Sequence, residues 1–305
     1  MICKKCGHEN PRESAICANC GEALTGSATL YPGTGSSLDY GWRVVWRHFW
    51  GLFFTVFVYH IFAVGIILGS WLVYYSFTHR IFNFNIALKR FDAERLPWEF
   101  NVVTLAIGAF ISVPLLFGIL SLFLGTARGE KLKLGRVLDG FRNYPGVILV
   151  GILYESIFGG VLLLLNWLMV DMAPLGLFLL VVWTVVFIVI MCRLVFVPFL
   201  ITDRKMKGFG SVKSSWSLSE GHAGQAFGIG VVAVLVGIGI WLISLLLKNV
   251  FDLESGTGGY IRLSVVLVLE ILTFMWFTSA FTSLYYAVSV VEKETGPENR
   301  PALIS

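Results

Sequence analysis

Charge is what this chain has least of. Only 14% of its 305 residues are Asp, Glu, Lys or Arg, while 56% are hydrophobic; soluble domains carry about a quarter charged residues. That shortage, with a mean hydropathy of +0.78, excludes a soluble globular domain of this length. Catalytic motifs are missing too. There is no H-E-x-x-H, no G-x-S-x-G and no glycine-rich phosphate loop leading into a helix. Zincin, serine-hydrolase and P-loop chemistry therefore find no support. An apolar leader is also lacking, since the first residues are polar, which predicts no cleavable signal peptide. Cysteine is scarce at five, yet four of these stand near the very start.

Cys3, Cys6, Cys17 and Cys20 follow the spacing C-x2-C-x10-C-x2-C. Each C-x2-C pair puts two sulfurs on one turn of backbone, and two pairs complete a tetrahedral thiolate shell for structural zinc. Gly7 and Gly21 follow the second cysteine of each pair, where a left-handed turn suits glycine. About 20 residues bury no useful core, so the metal has to supply the folding energy, about 10–16 kcal/mol for structural zinc. Two disulfides or a redox pair are the alternatives, and paired knuckles favour zinc over both. Four reduced thiols place this segment in the cytoplasm. His8 is surplus to a shell that four cysteines close. The stretch 1–24 resembles the short N-terminal zinc ribbons of bacterial and archaeal proteins, which implies a structural metal site. Its Lys4, Lys5 and Arg12 are matched by Glu9, Glu13 and Glu22. With no basic stripe to neutralise phosphates, the charge argues against nucleic acid. A ribbon that docks a protein, or is purely structural, fits better.

Beyond the ribbon, residues 25–37 are rich in Gly, Ser and Thr and predict a flexible linker. Six apolar runs follow, each long enough to cross a bilayer: 49–77, 102–125, 146–170, 174–200, 224–248 and 261–291. The expected fold is an all-α membrane domain over 38–295 with a cytoplasmic tail at 296–305. Six spans put both termini on one side. With the ribbon inside, sixteen Lys and Arg lie on the cytoplasmic side and six on the other, as the positive-inside rule requires. The thiols and the loop charges thus independently predict an inner-membrane protein with cytoplasmic termini.

The cytoplasmic loops repeat a pattern: an apolar residue, then an aromatic four positions later, just before a span. Leu38 and Trp42, Val137 and Phe141, and Val212 and Trp216 are the three instances. Four residues place both side chains on one helical face, so three short interfacial helices are expected, each preceding a transmembrane hairpin. In the long outer loop, Ile81, Phe84, Leu88 and Phe91 recur at helical spacing and suggest a further helix. The pairs Gly65/Gly69 and Gly224/Gly228, and the stripe Ala226, Gly230, Ala233, Gly237, predict close helix contacts; the same glycines could instead mark mobile helices.

The segment RLVFVPFLITDRKMKGFGSVKSSWSLSE at 193–220 resembles a recurrent stretch of a bacterial integral-membrane family. ARGEKLKLGRVLDGFRNYPG at 127–146 resembles its earlier loop, and Leu284-Tyr285-Tyr286 is similar to its end. That family occurs as stand-alone proteins and is similar to the membrane domain attached to some glycerophosphodiester phosphodiesterases. The resemblance covers most of 37–295 and implies no active site, because the phosphodiesterase catalytic domain is absent.

Four polar residues stand out inside the spans: His60, Glu155, Arg193 and Glu270. Such groups cost about 2.5–3.5 kcal/mol at a span centre and are the default functional suspects. Glu155 and Arg193 flank the turn between two spans at matched depths, so an ion pair between neighbouring helices is expected, as a clamp or as a polar lining. Arg193 could instead snorkel towards headgroups. His60, among aromatics, is expected to be a hydrogen-bonded packing residue, and Cys192 to fill space. These features point to a non-enzymatic scaffold or accessory subunit, surrounded by membrane lipids, whose ribbon contacts a cytoplasmic protein. A transporter or lipid-handling protein is the alternative, and a lipid-acting enzyme the third.

Overall fold

The structure, a computed structural model, describes residues 8, 19, 32–79, 98–155, 173–250 and 256–295. The described residues are helical, with no strand among them. The helices are α1 (Thr34–Arg47), α2 (Phe49–His79), α3 (Trp98–Ala127), a 3-10 turn (Leu134–Leu138), α4 (Asp139–Arg142), α5 (Tyr144–Glu155), α6 (Ala173–Leu194), α7 (Val197–Asp203), α8 (Gly208–Leu218), α9 (Ala223–Val250) and α10 (Gly256–Thr295).

Five helical stretches are long and apolar enough to cross a membrane: Phe49–Thr78, Phe110–Ala127, Val181–Asp203, Ala223–Lys248 and Ile261–Val290. The expected third span is described only as α5, a shorter apolar helix, because 156–172 lie outside the described residues. The outer-loop helix expected around residues 81–91 and all four ribbon cysteines lie outside them as well.

Two boundaries differ from expectation. The linker was expected to run to Ser37, but α1 begins at Thr34. Thr34 Oγ1 donates to Gln225 O at 3.2 Å and Ser36 Oγ to Gly33 O at 3.0 Å, while Ser37 is buried. Tertiary contact thus turns a loop-like composition into the first turn of a helix. The fourth apolar run is interrupted between α6 and α7. Pro198 follows at the start of α7. Proline offers no N–H to the carbonyl four residues earlier, which here is that of Leu194, the last residue of α6.

The chain divides into two compact units. The first comprises Met1–Phe53, Leu122–Lys133 and Trp216–Ser305; the second comprises Phe54–Ser121 and Leu134–Ser215. In the first unit α1 and α9 both pack on α10, and α1 also touches α9. In the second, Phe117 of α3, Val147 and Val150 of α5, Leu194 of α6, and Val197 and Ile201 of α7 form one buried cluster.

Within single helices, burial is uneven along the length. Ala226 and Ile229 of α9 are buried, whereas Val234, Leu235, Trp241 and Leu246 further along are exposed. In α6, Phe178, Val181 and Val185 are exposed and Leu194 is buried. A helix that is apolar all round and exposed all round is suited to lipid rather than water.

Candidate functional site: three seated short helices

The repeat seen in the loops has a structural counterpart with one residue added. In each instance the residue just before the aromatic is small and buried: Gly41 before Trp42, Gly140 before Phe141, Ser215 before Trp216. The aromatics themselves stay partly exposed, at 45%, 39% and 49%. The short helices therefore seat on a small residue and present a ring outward.

Each seat is made against backbone. A Cβ added at Gly41 would stand 2.7 Å from Ala280 N of α10. One added at Gly140 would collide with Pro114 O of α3, and one at Gly118 with Val137 O. Ser215 Oγ donates to Arg193 O at 2.8 Å, at the end of α6. The seats for α4 and α8 lie on the span that precedes each in the chain, and α1 uses the last span.

Around Gly41, α1 is fixed by rings as well as by contact. Trp276 Nε1 of α10 donates to Leu38 O at 2.9 Å, and its ring meets Trp42 edge-on at 5.3 Å. Trp42 meets Trp46 at 5.5 Å, Trp46 stacks on Phe49 at 5.1 Å, and Phe49 stacks on Phe53 at 5.6 Å. Such pairs prefer offset or edge-to-face geometry. Trp46 is 55% and Trp50 78% exposed, the composition of a membrane-interface belt. Tyr40 OH donates to Ala127 O at 2.7 Å, satisfying a carbonyl in the last turn of α3. Burial raises the Tyr40 pKa, and nearby Tyr286 adds to the effect. The turn after α3 closes with Gly129 at φ 76. Glu130 N–H returns to Gly125 O and Gly129 N–H to Thr126 O, the pairing that ends a helix on a left-handed glycine. His48, between α1 and α2, has its pKa lowered by burial and then by Arg47. His222, before α9, is lowered by burial alone, and its Nδ1 finds no hydrogen-bond partner among the described residues.

In the second unit the seat exploits a proline. Pro114 lies inside α3, so the carbonyl four residues earlier loses its helical donor. That carbonyl belongs to Phe110, and Tyr144 OH donates to it at 3.0 Å. Asp139 accepts from Ser121 Oγ at 3.2 Å and pairs with Arg142 at 3.0 Å. Asn143 Nδ2 donates to Met206 O at 3.3 Å, joining this loop to the turn between α7 and α8. In that turn Lys205 takes a left-handed φ of 52.

No protein-family model matches the chain, and no curated protein or solved structure matches it either.

His60 Nδ1 lies 2.8 Å from Val56 O on its own helix, and its ring meets Tyr59 edge-on at 5.8 Å. Glu155 is the last residue of α5, and its side chain lies outside the described part. Arg193 is half-buried near the end of α6. The contact described between these two helices at that depth is Tyr154 OH to Leu194 O, at 2.7 Å. Glu270 is exposed on α10. Among the described residues no three His, Cys, Asp or Glu gather into a metal-binding group.

The glycine expectations need correction. Among the described residues a Cβ at Gly65, Gly69, Gly224, Gly230 or Gly237 would meet nothing within 4 Å, whereas Gly228 is crowded by Thr34 and Ala226 of the stripe is buried. Outside these pairs and stripe, close approaches are made by Gly41, Gly118, Gly140 and Gly151. A small-residue stripe marks a face but not what lies opposite it. For Gly41, Gly140 and Ser215, the readable signal was the small residue immediately before each repeated aromatic.

Proposed function

We propose that this chain is a non-enzymatic integral protein of the cytoplasmic membrane, a scaffold or accessory subunit whose zinc ribbon docks a cytoplasmic protein. Its six spans form three hairpins, each introduced by one short helix, with both termini inside. The observation that carries the reading is the backbone-level seating of the short helices. Gly41 against Ala280 in the first unit, and Gly140 against Pro114 in the second, leave no room for a Cβ, so each unit holds its short helix firmly. Residues 25–33 tether the ribbon to α1, which is seated on α10. The donor set fits zinc: Cys3, Cys6, Cys17 and Cys20 supply four thiolates, and such a shell is structural. The loose resemblance of 37–295 to a bacterial membrane family fits the same reading.

Cross-linking in native membranes, followed by purification of the full chain, tests this. A discrete protein partner is expected, with about one zinc per chain. The Cys17→Ser/Cys20→Ser variant is expected to lose both metal and partner while its helical bundle still unfolds as before. A chain that isolates alone, or a partner retained by that variant, would sink the docking role.

A second reading, transport or lipid handling, draws on Glu270. It is exposed on α10 near the exposed Leu263, Val265 and Val268. A carboxylate facing hydrocarbon is costly, so a polar path or a headgroup would suit it. Flux into liposomes abolished by Glu270→Gln would favour this reading over the first.

A further inference from the structure

One surface of the second unit combines exposed cations with exposed apolar side chains. Lys205, Lys207 and Lys213 are exposed in and after the turn that joins α7 to α8. Phe209 is 69% exposed in the first turn of α8. The hydrogen bond from Asn143 to Met206 O brings the α4 loop alongside this turn. That loop adds Leu138 at 62% and Phe141 at 39% exposure. Phe141 is not loose, because it stacks on Tyr144 at 5.9 Å with 14° between the rings. A Cβ at Gly208 would stand 3.0 Å from Leu149 Cδ2, so the turn also rests on α5.

The charge here is one-sided. Arg204 is exposed as well, while the acids nearby are Asp203, which is half-buried, and Asp139, which is paired with Arg142. Cations that reach outward beside apolar rings match the boundary of a bilayer, where phosphates lie above acyl chains. Water alone would not favour Phe209 and Leu138 at such exposure, and a soluble polyanion would leave them uncovered. Lipid covers both classes at once. The apolar exposed surface of α6, at Val181, Val185 and Val189, belongs to the same unit.

We propose that this surface, built from the turn at 204–209 and the loop at 138–144, binds the headgroups of anionic phospholipids and selects them over zwitterionic ones. It holds the headgroup phosphate with Lys205, Lys207 and Lys213 and inserts Phe209, Leu138 and Phe141 among the upper acyl carbons. The inference is independent of the ribbon and its partner.

The test uses the purified full chain in neutral detergent. Dioleoyl phosphatidylglycerol and dioleoyl phosphatidylcholine are titrated separately and bound lipid is counted by native mass spectrometry. Phosphatidylglycerol is expected to bind on the order of a hundredfold tighter, at about fivefold per lysine engaged. The preference falls as salt rises from 0.05 to about 0.5 M. Lys205→Gly/Lys207→Gln/Lys213→Gln brings the two lipids to within about twofold, and glycine at 205 suits its left-handed backbone. Phe209→Ser/Phe141→Ser weakens both lipids alike. The salt titration needs no variant and reads the proposal even if a substituted chain fails to fold. Equal binding of the two lipids, a preference insensitive to salt, a preference kept by the lysine variant, or competition by millimolar inorganic phosphate as effective as that by lipid would each overturn it.

Discussion

Within α10, Ile271, Met275, Ala280, Leu284 and Tyr285 are fully buried, whereas Ile261, Leu263, Val265 and Val268 lie exposed in the same helix. The buried half also carries Thr278, Ser279, Thr282 and Ser283. Thr282 and Ser283 return their hydroxyls to the carbonyls of Thr278 and Ser279, each at 2.6 Å. The exposed half has no such provision. Forty residues of helix are about 60 Å long, roughly twice the hydrocarbon thickness of a bilayer. One half is therefore specified by shape, with small residues and back-bonded hydroxyls that let α1 approach. The other half is specified by composition only, because lipid accepts any apolar surface. Sequence positions in the first half should be intolerant of small changes, and those in the second tolerant.

The largest effect is expected where a seat is filled. Gly118→Val places atoms against Val137 O, so backbone must move; overpacking of this kind costs about 1–3 kcal/mol and here more. Size-exclusion chromatography and thermal unfolding in detergent should show most of the folded species lost. Next come the tyrosines. Tyr144→Phe strands the Phe110 carbonyl freed by Pro114, and Tyr154→Phe removes the donor to Leu194 O. Leu194 is buried, and an unmet buried carbonyl costs about 1–3 kcal/mol; the Tyr144 bond is exposed, so Tyr154→Phe should lower the unfolding temperature more than Tyr144→Phe, with helix content kept in both.

A smaller effect is expected from pH. His48 and His222 have lowered pKa values in the folded chain. Below their unfolded value, about 6.5, the unfolded chain binds more protons than the folded one. Their contribution is therefore full above pH 6.5 and is lost as pH falls from there through the folded values. The unfolding midpoint should be lower at pH 5 than at pH 7.5, and His222→Gln should flatten that slope. Smallest of all is Lys205→Gly, which relieves a left-handed φ of 52. It should raise stability slightly, by about 1 kcal/mol at most.

Much of the fold was legible in hydropathy. Apolar length located the long helices, and the loop aromatics located the short ones. What remained hidden was tertiary. The interruption between α6 and α7 sits in an unbroken apolar run, and only Pro198 hinted at it. Gly65/Gly69 looked like a contact and meets nothing within 4 Å among the described residues, while Gly41 and Gly140, unremarked inside the expected short helices, approach neighbouring backbone closely. Periodicity reports which residues share a face, and says nothing of whether a neighbour's backbone arrives there. Arg193 was read for its charge, and its carbonyl, taken by Ser215, went unread. Main-chain acceptors exist at every residue and leave no mark in a sequence.

A single matched set of substitutions tests the contrast most directly: Gly41→Ala and Gly140→Ala against Gly65→Ala and Gly237→Ala, compared by thermal unfolding in one detergent. A methyl group at the first two meets Ala280 N and Pro114 O; at the second two it meets nothing within 4 Å. The first pair should lose stability, each by about 1–3 kcal/mol. The second pair should hold or gain up to about 1 kcal/mol, because alanine is the better helix former. Equal tolerance at all four positions, or greater damage at Gly65 and Gly237, would contradict the account.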